Sequence, residues 1–257
     1  MDRSRVLLVG GVDSSAGAGL DVDREACREM EVEGIEIPTA HTEQDAHGVQ
    51  AIEEVEPAAW LADALTHGPS AAALKFGLLP GVDHMSAAAA LVRELCRADL
   101  GFPVVLDPVI ASSSGRRFLD DPALAVLRDS LLSAGPIVTP NLGEAAELTG
   151  QPLAPLTSDP GTRVRAAGLL LELGARAVLI KGGHGDEDPV RDLLLIPGRA
   201  PIWFEHPRVP GRLRGTGCRF ASALAGLLAR GRDLEQAALI AGRYVSRRIC
   251  EAGEARG

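Results

Sequence analysis

The stretch Val6-Leu7-Leu8-Val9-Gly10-Gly11-Val12-Asp13-Ser14-Ser15-Ala16-Gly17-Ala18-Gly19 decides the fold. Its first four residues form an unbroken apolar run, which is how a strand buried on both faces reads. A glycine-rich turn follows, and apolar positions at helical spacing then run from about residue 18 to 30. Strand, tight turn and helix in that order open an α/β fold.

The alternation continues outward from this unit. Strands are predicted at 34–40, 72–76, 103–106, 137–139 and 177–180, and helices at 58–65, 86–96, 124–132, 143–148 and 164–173. Such a pattern predicts βαβ units and a mainly parallel central sheet with helices on both faces. Two apolar runs, 192–196 and 202–205, are separated by Pro197 and Gly198 and predict a hairpin. Two Ala- and Leu-striped helices, 219–228 and 234–249, close the chain. Residues 157–161 have turn chemistry and are expected to be a loop. Neither a repeat nor a low-complexity linker breaks the pattern, so a single domain over 1–257 is expected.

Composition narrows the function classes. Apolar residues make up 46% of the 257 and aromatics only 3%, so the core must be aliphatic. The net charge of -9 is spread along the chain, which speaks against a nucleic-acid partner but not against a small nucleotide. Cys27, Cys96, Cys218 and Cys250 show no Cys-x-x-Cys and no metal-ligand spacing, so no zinc site is expected. No signal-like or membrane-spanning apolar run occurs, and a cytoplasmic chain with free thiols is expected.

Three turns could carry chemistry. In the first, a dinucleotide G-x-G-x-x-G register fails, because glycines at 10, 12 and 15 are needed and only Gly10 is present. Its Asp and Ser residues suit either ligand contacts or an N-cap by Ser14 or Ser15. Asp21 and Asp23 suit the first turn of a helix. The second is Thr139-Pro140-Asn141-Leu142-Gly143-Glu144, a strand-to-helix junction at the edge where open α/β sheets bind ligands. Its amide and carboxylate could hold a hydrated Mg²⁺ against phosphates. On spacing alone, a capping box between Asn141 and Glu144 is the stronger expectation.

The third is Gly215-Thr216-Gly217-Cys218, directly before an Ala-rich helix. Two glycines there let backbone N–H groups converge on an anion. A cysteine at a helix start is expected to have a lowered pKa and to serve as a base or nucleophile. A buried, inert thiol is the alternative. Lys181-Gly182-Gly183-His184, Asp107-Pro108 and Gln44 add polar groups after further strands, all at one end of the predicted sheet.

In this order, these residues resemble the hydroxymethylpyrimidine/phosphomethylpyrimidine kinases of thiamine biosynthesis, within the ribokinase-like superfamily. The resemblance spans nearly the whole chain. It is carried by the Gly11-to-Gly19 opening, Thr42-Glu43-Gln44 with Gly48-Val49-Gln50, Leu106-Asp107-Pro108-Val109, Thr139-Pro140-Asn141-Leu142 with Glu144-Ala145, Lys181-Gly182-Gly183-His184 and Gly215-Thr216-Gly217-Cys218. It implies a ribokinase-like three-layer sandwich that transfers the γ-phosphoryl group of Mg·ATP to a small-molecule hydroxymethylpyrimidine or its monophosphate.

The resemblance also implies residue roles. Gly11, Asp23 and Gln44 would bind the pyrimidine. Lys181, Gly182 and Asn141 would lie beside the nucleotide, and Glu144 and Asp107 by Mg²⁺. Gly215, Thr216 and Gly217 would form the anion hole, with Cys218 as catalytic base. Positioning and charge stabilisation are what phosphoryl transfer needs.

The chain departs from the family pattern at several positions. Arg214 stands where His is usual, Arg219 where a small Thr is expected, and Ser113 where the family carries a phosphate-facing Lys. Lys75-Phe76-Gly77-Leu78 replaces Lys-Ile-Gly-Met. Arg214 or Arg219 is therefore expected to supply charge at the phosphates. A pyridoxal or pyridoxine kinase and a pyrimidine-binding paralogue without turnover are the alternatives. Homodimers are a family habit, extended here by analogy alone.

Overall fold

The apolar run at the start of the chain becomes strand β1 (Arg5–Asp13), and Val6 to Val9 are completely buried. Leu7 and Val9 point into one core and Val6 and Leu8 into another. That is the burial pattern of a strand covered on both faces. The computed structural model describes residues 4–45, 48–112, 115–183, 185, 187–211 and 213–254.

Among the described residues, nine strands form one sheet in the order β3-β2-β1-β4-β5-β6-β7-β8-β9. Strands β2 (Glu33–Asp45), β4 (Ala73–Phe76), β5 (Val104–Leu106), β6 (Ile137–Val138) and β7 (Ala177–Ile180) extend the parallel array around β1. The antiparallel members lie at the two edges. They are β3 (Gly48–Glu54) on one side and the hairpin β8 (Val190–Leu195) and β9 (Ile202–His206) on the other. The predicted α/β class, the mainly parallel sheet and the late hairpin are all present.

The two cores sort the helices into outer layers. Helices α2 (Pro57–His67), α3 (Gly81–Ala98), α4 (Asp121–Val126), α5 (Leu142–Thr149), α6 (Leu153–Ser158) and α7 (Pro160–Glu172) pack on one face. Helices α1 (Leu20–Glu29), α8 (Thr216–Ala229) and α9 (Leu234–Glu254) pack on the other. The strand order reverses between β1 and β4, because β1 is followed by a neighbour on one side and the chain later returns to its other side. In open α/β sheets ligands bind outside the carboxyl ends of the strands at such a point.

Three expectations need correction. Gly48 to Gln50, left outside every predicted element, begin β3, and Gln44, beyond the predicted end of the second strand at 40, lies in β2 opposite Val49. Residues 157–161 are not a loop but the junction of two helices. There Asp159 accepts hydrogen bonds from the Gly161 and Thr162 N–H groups at 3.0 and 2.9 Å, and Pro160 takes the first helical position. Neither Ser14 nor Ser15 caps α1. Its N-cap is Gly19, with φ +67 and no capping side chain, and a Cβ there would lie 2.2 Å from the Gly11 carbonyl oxygen.

One residue of β4 breaks its apolar run. Lys75 on β4 faces the α1/α8 layer, where its Nζ lies 2.6 Å from Asp23 Oδ2, and both side chains are about 1% exposed. Ser222 Oγ on α8 donates to Asp23 Oδ1 at 2.8 Å. Burial alone would lower the Lys75 pKa, but the Asp23 carboxylate outweighs it and holds the ammonium charged. Removing one partner of such a pair leaves a buried charge uncompensated. Lys75→Met is therefore expected to lower the unfolding free energy by about 3–5 kcal/mol. The double variant Lys75→Met/Asp23→Asn should recover much of that loss, as measured by guanidinium denaturation.

Candidate active site

The carboxyl ends of β1, β4, β5, β6 and β7 bring their following residues to one edge, facing the first turn of α8. The turn before α8 can approach so closely only because it is glycine. Gly215 is its N-cap at φ +69, and a Cβ there would lie 2.8 Å from the Gly17 carbonyl oxygen. A Cβ on Gly217 would lie 3.0 Å from Lys181 Nζ and 3.2 Å from Asp107 Oδ2. The first-turn N–H groups of a helix have no intrahelical partner, so the turn presents donors beside a Lys–Asp pair. Of the sequence-predicted site residues, Gly215, Thr216, Gly217, Cys218, Lys181 and Asp107 are thus brought together.

Lys181 Nζ donates to Asp107 Oδ1 at 2.8 Å, and Thr139 Oγ1 approaches the same oxygen at 3.5 Å. Burial pulls the Lys181 pKa down, but the Asp107 and Glu144 carboxylates overcome it and keep the ammonium charged. Lys181 N–H donates to the Pro140 carbonyl oxygen at 2.9 Å, which ties β7 to the loop after β6. Gly182 N–H is taken by Asp192 Oδ1 at 2.7 Å, and a Cβ on Gly182 would lie 2.1 Å from the Arg191 carbonyl oxygen.

The capping box is formed. Glu144 N–H donates to Asn141 Oδ1 at 2.9 Å, and Asn141 N–H donates to Glu144 Oε2 at 2.7 Å. Asn141 Nδ2 and Glu144 Oε1 take no part in it. Burial pushes the Glu144 carboxyl up to about 8, with Lys181 acting against the rise and Asp107 adding to it. Among the described residues no cluster of three or more His, Cys, Asp or Glu side chains could hold a metal. Asp107 and Glu144 are hard oxygen donors facing one lysine. That set does not fit an all-protein cage but fits Mg²⁺, which is held through one or two carboxylates plus substrate phosphates.

Cys218 corrects an expectation. Its thiol is not acidified by the helix N-terminus. Burial pushes it up to about 12, with the Lys75 ammonium and the Gly19 N–H opposing the rise and Asp23 and Asp107 reinforcing it. The thiol sits between the β1–α1 loop and the buried Lys75–Asp23 pair. Asp23 lies in the same cluster, with one oxygen on Lys75 and the other on Ser222. Gly11 is packed under Leu78, whose Cδ2 would be 2.9 Å from a Cβ. The Gln44 side chain, Ser113 and His184 lie outside the described residues.

Both arginines find acidic partners. Arg219 pairs with Glu25 on α1 at 2.7 Å and is 7% exposed, so it braces the α1/α8 layer. Arg214 reaches back to Asp13 at 2.9 Å and to Ser15 at 2.8 Å. Sequence reasoning missed Lys75 and Asp192 as site residues, and it read Asp13 as a ligand contact rather than as a partner for Arg214. A lysine in an otherwise apolar strand was the available signal for Lys75; nothing local marked Asp192.

Comparison with known proteins agrees with this geometry. The profile of the phosphomethylpyrimidine kinase family matches residues 13–256. The chain is 33% identical over 251 residues to the hydroxymethylpyrimidine/phosphomethylpyrimidine kinase of Bacillus subtilis, covering 95% of this chain and 89% of that one. It is 37% identical over 253 residues to the thiamine biosynthesis bifunctional protein ThiED of Geobacter sulfurreducens, covering 96% of this chain but spanning only 49% of that protein. The crystal structure of phosphomethylpyrimidine kinase from Clostridium difficile superposes with a TM-score of 0.80 at 26% identity, covering 96% of this chain and all of the other. An ADP complex of Bacillus subtilis pyridoxal kinase superposes at 0.84 with 28% identity, covering 97% and 92%. A family profile over almost the full chain, relatives above 30% identity and a shared ribokinase-like fold lead to one conclusion: the chain belongs to the phosphomethylpyrimidine kinase family.

Proposed function

We propose that the chain transfers the γ-phosphoryl group of ATP to the hydroxymethyl group of 4-amino-5-hydroxymethyl-2-methylpyrimidine, to the monophosphate of that compound, or to both. The observation that carries this reading is the glycine turn of α8 packed against the Lys181–Asp107 pair. It supplies what phosphoryl transfer asks of a protein: converging donors, a fixed cation and a carboxylate in one water-poor corner. The kinase names of the relatives and the nucleotide complexes among the structural neighbours support it. The whole of 1–257 is assigned to one kinase domain.

In this reading the Gly215–Gly217 N–H groups cradle the transferring phosphoryl oxygens. Lys181 adds positive charge there, and Gly182 and Asn141 flank the nucleotide. Gly11 and Gln44 form the pyrimidine side, and Asp23, buried with its oxygens on Lys75 and Ser222, acts through that pair rather than by direct contact. Asp107 and Glu144 would hold Mg²⁺, which would supply neutralisation of phosphate charge as it develops. Cys218 receives the substrate hydroxyl and takes its proton. A loose transition state demands little charge on the attacking oxygen, so that proton can leave late. Cys218 is a base only as its thiolate, so its own proton must first pass to solvent, and the Lys75 ammonium is the neighbouring charge that favours that loss.

A pyridoxal kinase is the second reading, because kinases of Bacillus subtilis and Staphylococcus aureus that carry that name superpose as closely. One assay separates the two. Purified protein with Mg·ATP is offered the hydroxymethylpyrimidine, its monophosphate and pyridoxal, and ADP release is followed. Faster turnover of a pyrimidine is expected. Turnover of pyridoxal alone would replace the reading, and pyrimidine binding without any turnover would make the chain a non-catalytic paralogue.

Two further outcomes concern Cys218. Cys218→Ala should cut kcat at least about tenfold while pyrimidine affinity changes less than about twofold. Equal loss of both would make Cys218 a packing residue. In the wild type, burial disfavours the thiolate, so Cys218 stays a thiol at pH 8. Peptide mapping after iodoacetamide treatment at that pH should find it labelled more slowly than exposed Cys250. Its rate should climb about tenfold per pH unit toward the alkaline limit. Labelling of Cys218 that is fast and flat from pH 7 to 9 would show an acidified thiol instead.

A further inference from the structure

The loop between β1 and α1 and the turn before α8 come from opposite ends of the chain, yet they form one wall of the site. Their contact is intimate. Gly215 lies so close that a Cβ would be 2.8 Å from the Gly17 carbonyl oxygen and 3.1 Å from Ala18 Cα. The loop in turn delivers the Gly19 N–H toward the Cys218 thiol.

Arg214 spans the two segments. Its Nη2 donates to Asp13 Oδ2 at 2.9 Å and its Nη1 to Ser15 Oγ at 2.8 Å, across 201 and 199 residues of sequence. Asp13 uses its other oxygen within the loop, where Oδ1 accepts from Ser15 N–H at 3.0 Å and from Ser15 Oγ at 2.8 Å. The guanidinium lies over Gly17, where a Cβ would be 3.0 Å from Nη1 and 3.2 Å from Cζ. The Asp13 side chain is 2% exposed, so its carboxylate is a buried charge that needs a cation. A planar fork reaching an acid and a hydroxyl at once is a geometry that arginine supplies and lysine does not.

We infer that Arg214 is a positioning residue: through Asp13 and Ser15 it clamps the β1–α1 loop onto the turn that carries Cys218, and it does not itself bind a phosphate. With its charge matched by Asp13, it sets the spacing between the pocket wall and the anion cradle. Its catalytic consequence rests on the kinase reading above; the clamp does not.

The test compares Arg214→Met, Asp13→Asn, their double variant and Arg214→Lys in the full chain. Asp13→Asn keeps shape and removes the charge, so it reports on the clamp even where Arg214→Met folds poorly. Steady-state kinetics should show kcat reduced about tenfold in each single variant with KM for ATP within about twofold, and the double variant no worse than either single one. Arg214→Lys should recover only part of the loss. Hydrogen exchange at residues 14–19 should accelerate in both single variants, to the same degree as in the double.

A phosphate ligand would behave differently. Arg214→Met would then raise KM for ATP, Asp13→Asn would not, Arg214→Lys would restore ATP affinity, and the two losses would add. Any of these overturns the inference, as does unchanged exchange at 14–19. A wild type without turnover would remove the kinase reading and leave exchange to decide the clamp alone.

Discussion

A lysine and an aspartate meet 2.6 Å apart where neither touches water, and much of the site is built around them. Lys75 on β4 cannot be buried as a lone charge, and Asp23 on α1 cannot either. Their pairing, with Ser222 on the second oxygen of Asp23, fixes one register of α1 and α8 on the sheet. Cys218 and Ser222 are one helical turn apart, so the same choice puts the thiol over the ammonium. The switch point between β1 and β4 is thereby closed from one face by α1 and α8 acting as a unit. Arg219–Glu25 ties the same two helices, and Arg248 on α9 also reaches Glu25.

Around that pair, the site trades side chains for backbone. Gly19, Gly182, Gly215 and Gly217 sit where a Cβ would press on a carbonyl oxygen or on the Lys181–Asp107 pair. Close approach lets peptide groups rather than flexible side chains line the corner. The donors are then oriented before any ligand arrives, which is what makes such cradles effective for transferring phosphoryl groups. The capping box at Asn141 and Glu144 works to the same end. It holds both side chains in fixed rotamers while leaving one polar atom of each outside the box. Capping and ligand binding, which compete as explanations of this motif in the sequence, are compatible in the fold.

The legible parts of the sequence share a physical cause. Strands buried on both faces leave apolar runs, interrupted in β4 by Lys75, so β1, β4 to β7 and their alternation with helices stood out. Parallel strands put their following residues at one edge, so motifs far apart in sequence could be placed together without knowing a distance. Strand β3 left no such mark because it is an edge strand in which Val49 is the one buried residue. The α6–α7 junction was mistaken for a loop although Asp159-Pro160 carries a cap and a helix start. A six-residue helix with a single residue between it and the next gives the composition of a turn.

What the sequence by itself determined is the α/β class, the family, and the set of turns that would face one another. The class and the turns follow from periodicity and from residues whose chemistry is local: glycines, caps and apolar runs; the family follows from a resemblance carried by the motifs in their order. Only the tertiary structure decided which charges are paired and which way each protonates. Arg214 turned to Asp13, Arg219 turned to Glu25, and the Cys218 thiol was raised rather than acidified. The two arginine pairings depend on partners about two hundred residues away in the chain, and the thiol depends first on the depth at which it is buried. Electrostatics at a site depends on burial and distance, and neither is written in any single stretch of sequence.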